Sequence, residues 1–303
     1  MMNRFKKIID CVTENPVKKC CAVVCPDLQT MEAVREAEKM GLIEPCFYTE
    51  NQSTDFLEMC AKMSCGRAIH RYTSQEQAAE NAVKDVRLGK AEILLKGNLD
   101  TAVLLRQVVN KDYGLLTGRL ISHIAWLDVP SYHKLILLTD GGMVPYPDLV
   151  QLRAILENAV WAMRLFGVAM PKVACLAAVE KVHERMPETV RAAALKDMNQ
   201  KGEITDCVVE GPISFDLAFV KKAAQMKGYQ SPVAGDADIF LVPDFVSGNL
   251  LAKALVHACG AGFAGLLAGA SAPVIITSRT STKEEKINSL ACSALLSHRS
   301  GSL

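Results

Sequence analysis

The chain has 303 residues, 50% hydrophobic and 22% charged, enough apolar material to bury a sizeable core as two domains or one large one. Its 34 Lys and Arg nearly cancel its 33 Asp and Glu, so no strong positive field gathers nucleic acid or anionic lipid, and neither is expected as a partner. The eleven cysteines are scattered without a CxxC pair, which disfavours a metal cluster or redox motif and suits free thiols in a reducing cytoplasm.

At the N-terminus, Arg4, Lys6 and Lys7 precede only Ile8 and Ile9 before Asp10, far short of a signal-peptide core, and no export is implied. Short apolar runs then alternate with segments of helical period, the pattern of a parallel sheet flanked by helices. The candidate strands are residues 20–25, 43–49, 91–95, 135–138, 173–177, 239–242 and 274–277. Ser122 and His123 lie in a mixed segment, 118–126, where a lone histidine more often serves structure than catalysis.

Residues 139–147, Thr-Asp-Gly-Gly-Met-Val-Pro-Tyr-Pro, gather turn formers directly after a strand, which places a domain boundary nearby. Loops leaving parallel strands at their C-terminal ends line ligand clefts, so this segment is also a candidate substrate face. A helix follows Pro147 and ends at Gly167, with Leu149, Leu152, Leu156, Val160 and Met163 forming its core stripe. Asp236 and Asp238, two apart before a strand, would point to opposite faces if extended, so Asp238 reads as a cap or turn residue rather than half of an acid/base pair. Gly248 and Asn249 stand at the next helix start, where an asparagine caps a helix or reaches a ligand.

Gly260-Ala-Gly-Phe-Ala-Gly265 matches the dinucleotide pattern GxGxxG, but a helix precedes it, a strand pattern follows it, and the nearest later acid is Glu284. A nucleotide fingerprint needs the opposite order. The uncharged stretch 254–278 has the length of a membrane span, yet its His257, four glycines, Ser271 and Pro273 suit a buried turn-and-strand segment. Ser278-Arg279-Thr-Ser-Thr-Lys-Glu-Glu-Lys286 then reads as a polar loop between a strand and a helix. Its helix N–H groups could meet an anion, Arg279 supplies a fork for phosphate or carbonyl oxygen, and Glu284 or Glu285 can accept a proton. The spacing equally fits a capping box of Thr282 and Glu285 with no chemistry.

Read together, several segments resemble the phosphate acetyltransferase and butyryltransferase family, nearer its butyryltransferase branch. They are Lys96-Gly97, Gly114-Leu-Leu-Thr-Gly-Arg-Leu-Ile-Ser-His123, Pro171-Lys-Val-Ala174, Ala178-Val-Glu180, Glu210-Gly-Pro-Ile-Ser-Phe-Asp216, Ala234-Gly-Asp-Ala-Asp238, Gly248-Asn249 with Lys253, and Thr277-Ser-Arg279 with Lys286. The resemblance implies two α/β domains with parallel-rich sheets flanked by helices, an interdomain active-site cleft and an isocitrate/isopropylmalate dehydrogenase-like architecture. The expected domains are residues 1–138 plus 277–303, and 139–276, the second carrying the contact of a homodimer or higher homo-oligomer.

It further implies reversible conversion of a short-chain acyl-CoA, butyryl-CoA above all, and phosphate into acyl phosphate and CoA, with no metal or redox cofactor. Ser278 and Arg279 fall at the reacting thioester with Glu285 as their carboxylate, and Ser122, His123, Gly248 and Asn249 at the substrates. Transfer is expected to be direct, although Cys175, Cys207 and Cys259 are conceivable nucleophiles. Two departures concern acyl-chain preference. Ser281 stands where butyryltransferases commonly have aspartate, and Gly141 to Pro145 replace a more usual Ala-Ala-Ile-Asn segment. The rival readings are a phosphate acetyltransferase, a decarboxylating NAD(P)-dependent dehydrogenase and a non-catalytic acyl-CoA sensor.

Overall fold

Apolar runs buried on both faces set the strands of the computed structural model, which describes residues 4–14, 19–51, 53, 54, 56, 58, 69–278 and 280–300, the side chains of 298–300 excepted. The chain divides into two compact units, one of Phe5–Arg119 and Ala264–Leu303, the other of Met1–Arg4 and Leu120–Phe263. It begins with α1 (Arg4–Glu14), β1 (Lys19–Val24), α2 (Leu28–Lys39), β2 (Ile43–Thr49), β3 (Ile69–Arg71), α3 (Gln75–Arg87), β4 (Ile93–Lys96) and α4 (Thr101–Val108). The second unit follows with β5 (Ser122–Asp128), β6 (Ile136–Thr139), α5 (Leu149–Leu165), β7 (Lys172–Leu176), α6 (Pro187–Gln200), β8 (Val208–Ile213), α7 (Phe215–Phe219), α8 (Lys221–Met226), β9 (Ile239–Leu241) and α9 (Phe245–His257). The chain returns along β10 (Gly262–Ala268), β11 (Val274–Ile275) and α10 (Lys283–Ser300).

In the first unit the strands lie in the order β3-β2-β1-β4-β11-β10, parallel throughout except for the β10–β11 pair. Parallel strands covered on both faces read as unbroken apolar runs, and Cys20 through Val24 of β1 are all buried. The helices start on side-chain caps. Asp27 accepts from Thr30 N at 2.8 Å ahead of α2, and Ser74 accepts from Gln77 N at 3.3 Å ahead of α3. Residues 286–296 of α10 are buried without interruption, as in a helix with no solvent face, and α10 packs on α2, β1, β4 and β11.

The second unit orders its strands β5-β6-β9-β7-β8, with β5–β6 antiparallel and the rest parallel. Tyr132, Phe219 and Phe240 form a ring cluster in its core, joined by Phe215. Helix α5 opens on a full capping box between Asp148 and Gln151, and its chain reverses at Gly167, whose φ of 92° falls where only glycine is unstrained.

All seven candidate strands are present, and β3, β5, β8 and β10 are additional. Strand β5 carries polar ends that hide its period and is held by its antiparallel ladder to β6. In β8 the turn formers Gly211 and Pro212 interrupt the run, and buried Glu210 is paired with Lys196 at 2.6 Å. The unit boundary falls at Arg119 rather than after residue 138, because Ile124 pairs with Thr139 and a later break would split that ladder. The return falls at Ala264 rather than 277, since Leu267 pairs with Val274 inside one sheet. The uncharged stretch 254–278 forms the end of α9, β10 and β11, and among the described residues no helix is long and apolar enough to cross a membrane. The described cysteines are free thiols; Cys60 and Cys65 lie outside the described residues.

Candidate active site

In the second unit the chain leaves β6 into Asp140-Gly-Gly-Met-Val144. The Asp140 carboxylate, only 2% exposed, organises this loop by accepting from the backbone N–H groups of Gly142 and Met143 at 2.8 Å, His123 at 3.0 Å and Val144 at 3.3 Å. A carboxylate facing four amides fixes the loop as a charge-assisted hub. The glycines follow from space. A Cβ on Gly142 would sit 2.7 Å from Cγ of His123, and one on Gly141 would sit 2.8 Å from the carbonyl carbon of Gly248.

The same loop therefore rests on both His123 and the first turns of α9. Asn249 donates from Nδ2 to the Gly141 carbonyl at 3.2 Å, and Asp244 caps α9 by accepting from Ser247 N at 2.8 Å. His123 is half-buried, but its Nδ1 is buried and has no hydrogen-bond partner. Burial pushes its imidazole below the ordinary histidine value against the opposing pull of Asp140. Three of the four expected substrate residues of this unit, His123, Gly248 and Asn249, thus surround one loop. Ser122 departs from that expectation: it is fully buried, and its Oγ accepts from Asn158 Nδ2 at 2.9 Å, so its hydroxyl serves the packing of α5 on β5.

In the first unit the predicted order of strand, polar loop and helix holds from β11 to α10. Ser278 is exposed, its Oγ 2.9 Å from Thr280 Oγ1. Arg279 lies outside the described residues. Thr282 and Glu285 form the capping box, with Thr282 N donating to Glu285 Oε2 at 3.0 Å and Glu285 N to Thr282 Oγ1 at 3.2 Å. Beneath the loop, Lys286 is 3% exposed and donates from Nζ to the Ser281 carbonyl at 2.8 Å and to Gln29 Oε1 at 3.1 Å. Burial pushes its ammonium down, opposed by Asp27 and Glu285.

A cavity of about 520 Å³ opens in this unit where β1, β2 and β4 end, lined by Asp27, Glu50, Gln75 and Asn98 among others. Among the described residues its lining holds two carboxylates, Asp27 and Glu50, and no cation. Elsewhere, Asp236 and Asp238 are ion-paired structural groups. Lys134 bonds Asp236 at 2.9 Å and Asp238 at 2.7 Å, and Asp238 also accepts from Lys172 N at 2.8 Å. Gly260, at φ 65°, sits in the turn from α9 into β10, and Gly262 and Gly265 lie in β10 itself, so a strand and not a helix N-terminus follows the turn.

The family model described as "Phosphate acetyl/butaryl transferase" matches residues 26–294 of this chain. The chain belongs to the phosphate acetyl/butyryl transferase family. It is 37% identical to the phosphate butyryltransferase of Clostridium acetobutylicum over 98% of this chain and 99% of that one. Identity to the phosphate acetyltransferase of Rhizobium meliloti is 38%, over 94% and 90%. Among solved structures, a branched-chain phosphotransacylase from Enterococcus faecalis superposes with a TM-score of 0.84 at 29% identity, covering 92% of this chain and 99% of that one.

Within this phosphate acetyl/butyryl transferase, both departures from the more usual motifs have a local setting. Gly141 and Gly142 are the residues that allow backbone contact with α9 and with His123, and Ser281 is buried with its carbonyl taken by Lys286. Asp140, the hub of one loop, and Lys286, the support of the other, carry no role in the sequence reading. Asp140 was signalled only by its place between a strand and two glycines. Lys286 stood in the sequence as a member of the family-like segment with Thr277-Ser-Arg279 but with no role attached, because its burial comes from α2 and the sheet.

Proposed function

We propose that this chain transfers a short acyl group between coenzyme A and phosphate in one direct step. The observation that carries the reading is the loop between β11 and α10, where an exposed serine hydroxyl precedes a helix start that holds a carboxylate, in a chain of this family. A phosphate oxygen attacks the thioester carbonyl carbon, the carbon–sulfur bond breaks, and the proton lost by phosphate reaches the departing sulfur through Glu285. Ser278 hydrogen-bonds that sulfur, and Arg279 stabilises the oxyanion or the phosphate. Preorganised donors of this kind commonly contribute about 10²- to 10³-fold each.

The loop of Asp140 is assigned to substrate positioning through His123, Gly248 and Asn249. His123 is kept neutral by burial, which suits it to hydrogen bonding rather than to charge pairing. The protein is assigned to the cytoplasm and to a homodimer or larger homo-oligomer built through the second unit.

The test is thiol release from acetyl-, propionyl-, butyryl- and branched acyl-CoA with and without phosphate. Phosphate-dependent release is expected, with butyryl-CoA preferred. Release with acetyl-CoA alone would make the protein an acetyltransferase, and CoA binding without release from any substrate would overturn catalysis altogether.

A further inference from the structure

Lys286 has an unusual place for a lysine, and its surroundings are specific. Ammonium groups are almost never fully buried unless paired, because removing the charge from water is costly. Here the side chain starts inside α10, one residue after the capping-box carboxylate, and its Nζ turns back to the Ser281 carbonyl at 2.8 Å. A second bond reaches Gln29 of α2 at 3.1 Å, linking two segments 257 residues apart. Asp27, the cap of α2, and Glu285 supply the opposing charge. Apart from these contacts the region is held by the apolar packing of α10 on α2 and the sheet.

We propose that Lys286 is a positioning residue that holds the Ser278-bearing loop from inside the fold and ties its conformation to α2. The inference rests on the assignment of Ser278 to the reaction. Lys286 acts through the loop and not by contact with substrate. Its Ser281 bond fixes the carbonyl of the residue three past Ser278, while Ser281 N donates back to the Ser278 carbonyl at 3.1 Å, so the loop is clamped on itself and from below. A plain packing role needs only the apolar stem, which methionine reproduces. Positioning needs the ammonium donors.

Lys286→Met is the primary test. The melting temperature is expected to stay at or above that of the wild type, because an unbranched apolar stem replaces a buried charge. Turnover with acyl-CoA and phosphate is expected to fall roughly 10- to 100-fold, since a displacement of about 1 Å at a reacting group has that effect. The Michaelis constant is expected to change little. Amide exchange at residues 280–283 is expected to accelerate while that of 287–296 does not.

Gln29→Ala, at an exposed position, keeps the test open should the methionine variant fail to fold, and is expected to lower turnover and loosen the same amides to a smaller degree. Wild-type turnover and wild-type exchange in a folded Lys286→Met would overturn the inference while leaving the proposed reaction standing. Faster exchange at 280–283 in a protein that releases no thiol even as wild type would instead sink the reaction assignment and the positioning role that rests on it.

Discussion

Gly141 and Gly248 meet backbone to backbone: a Cβ on either would come within 2.8 Å of the other's main chain. The contact lets the loop after β6 lie directly on the first turns of α9, and it brings the Gly141 carbonyl within reach of Asn249. Neither partner can change alone.

Gly248→Ala is accordingly expected to destabilise the fold by about 1–3 kcal/mol, the usual cost of forcing a group into a filled site. Urea unfolding should show a lower midpoint at unchanged slope. A midpoint equal to the wild type would mean that the loop yields freely and that its glycines have another cause.

Glu285 has two separable jobs, one observed and one proposed. Glutamine at this position can still serve the capping box, so Glu285→Gln should leave stability within about 0.5 kcal/mol of wild type, whereas Glu285→Ala should lose about 1 kcal/mol from the lost cap. The proton-transfer role predicts that both variants lose about 10²- to 10⁴-fold in turnover. Full activity in Glu285→Gln, with an unchanged pH–rate profile, would leave the residue as a cap alone.

Asp140→Asn replaces one carboxylate oxygen by an amide that cannot accept, while two backbone N–H groups face each oxygen. Two buried donors are left without an acceptor, at an expected cost of about 2–3 kcal/mol. Thermal and urea unfolding both read it. The loss should be accompanied by weaker substrate binding, because His123 and Asn249 rest on this loop.

The His123 imidazole titrates below its unfolded value because burial disfavours its charged form. The unfolded chain therefore takes up a proton as pH falls through about 6.5, while the folded chain does not. Stability contributed by this group is present above that pH and is lost as pH falls toward the folded value. His123→Gln should show a shallower decline in melting temperature between about pH 7 and 5. Parallel curves for the two proteins would show that His123 is not the group responsible.

The alternation of apolar runs and helical periods was enough to read seven strands, the helix from Leu149 to Leu165 and the strand, loop and helix around Ser278. These are local signals: buried parallel strands carry them in their own residues, and caps such as Asp148 and Thr282 sit next to what they cap. The segment of Ser122 and the one containing Gly211 and Pro212 gave no such signal, because their pairing partners, β6 and β7, lie elsewhere in the chain. The same reason moved the unit boundaries from residues 138 and 277 to Arg119 and Ala264.

The sequence by itself determined the α/β class and the family, since motif order and residue type are properties of the chain, and the roles proposed for Ser278, Arg279 and Glu285 rest on that family. Only the tertiary structure decided which groups are reachable and which are supports. It turned Ser122 inward onto Asn158, set Gly141 against Gly248 and buried Lys286 beneath Ser281. Each of these depends on an element far away in sequence, and burial and hydrogen bonding between distant elements leave no periodic trace in the residues that undergo them.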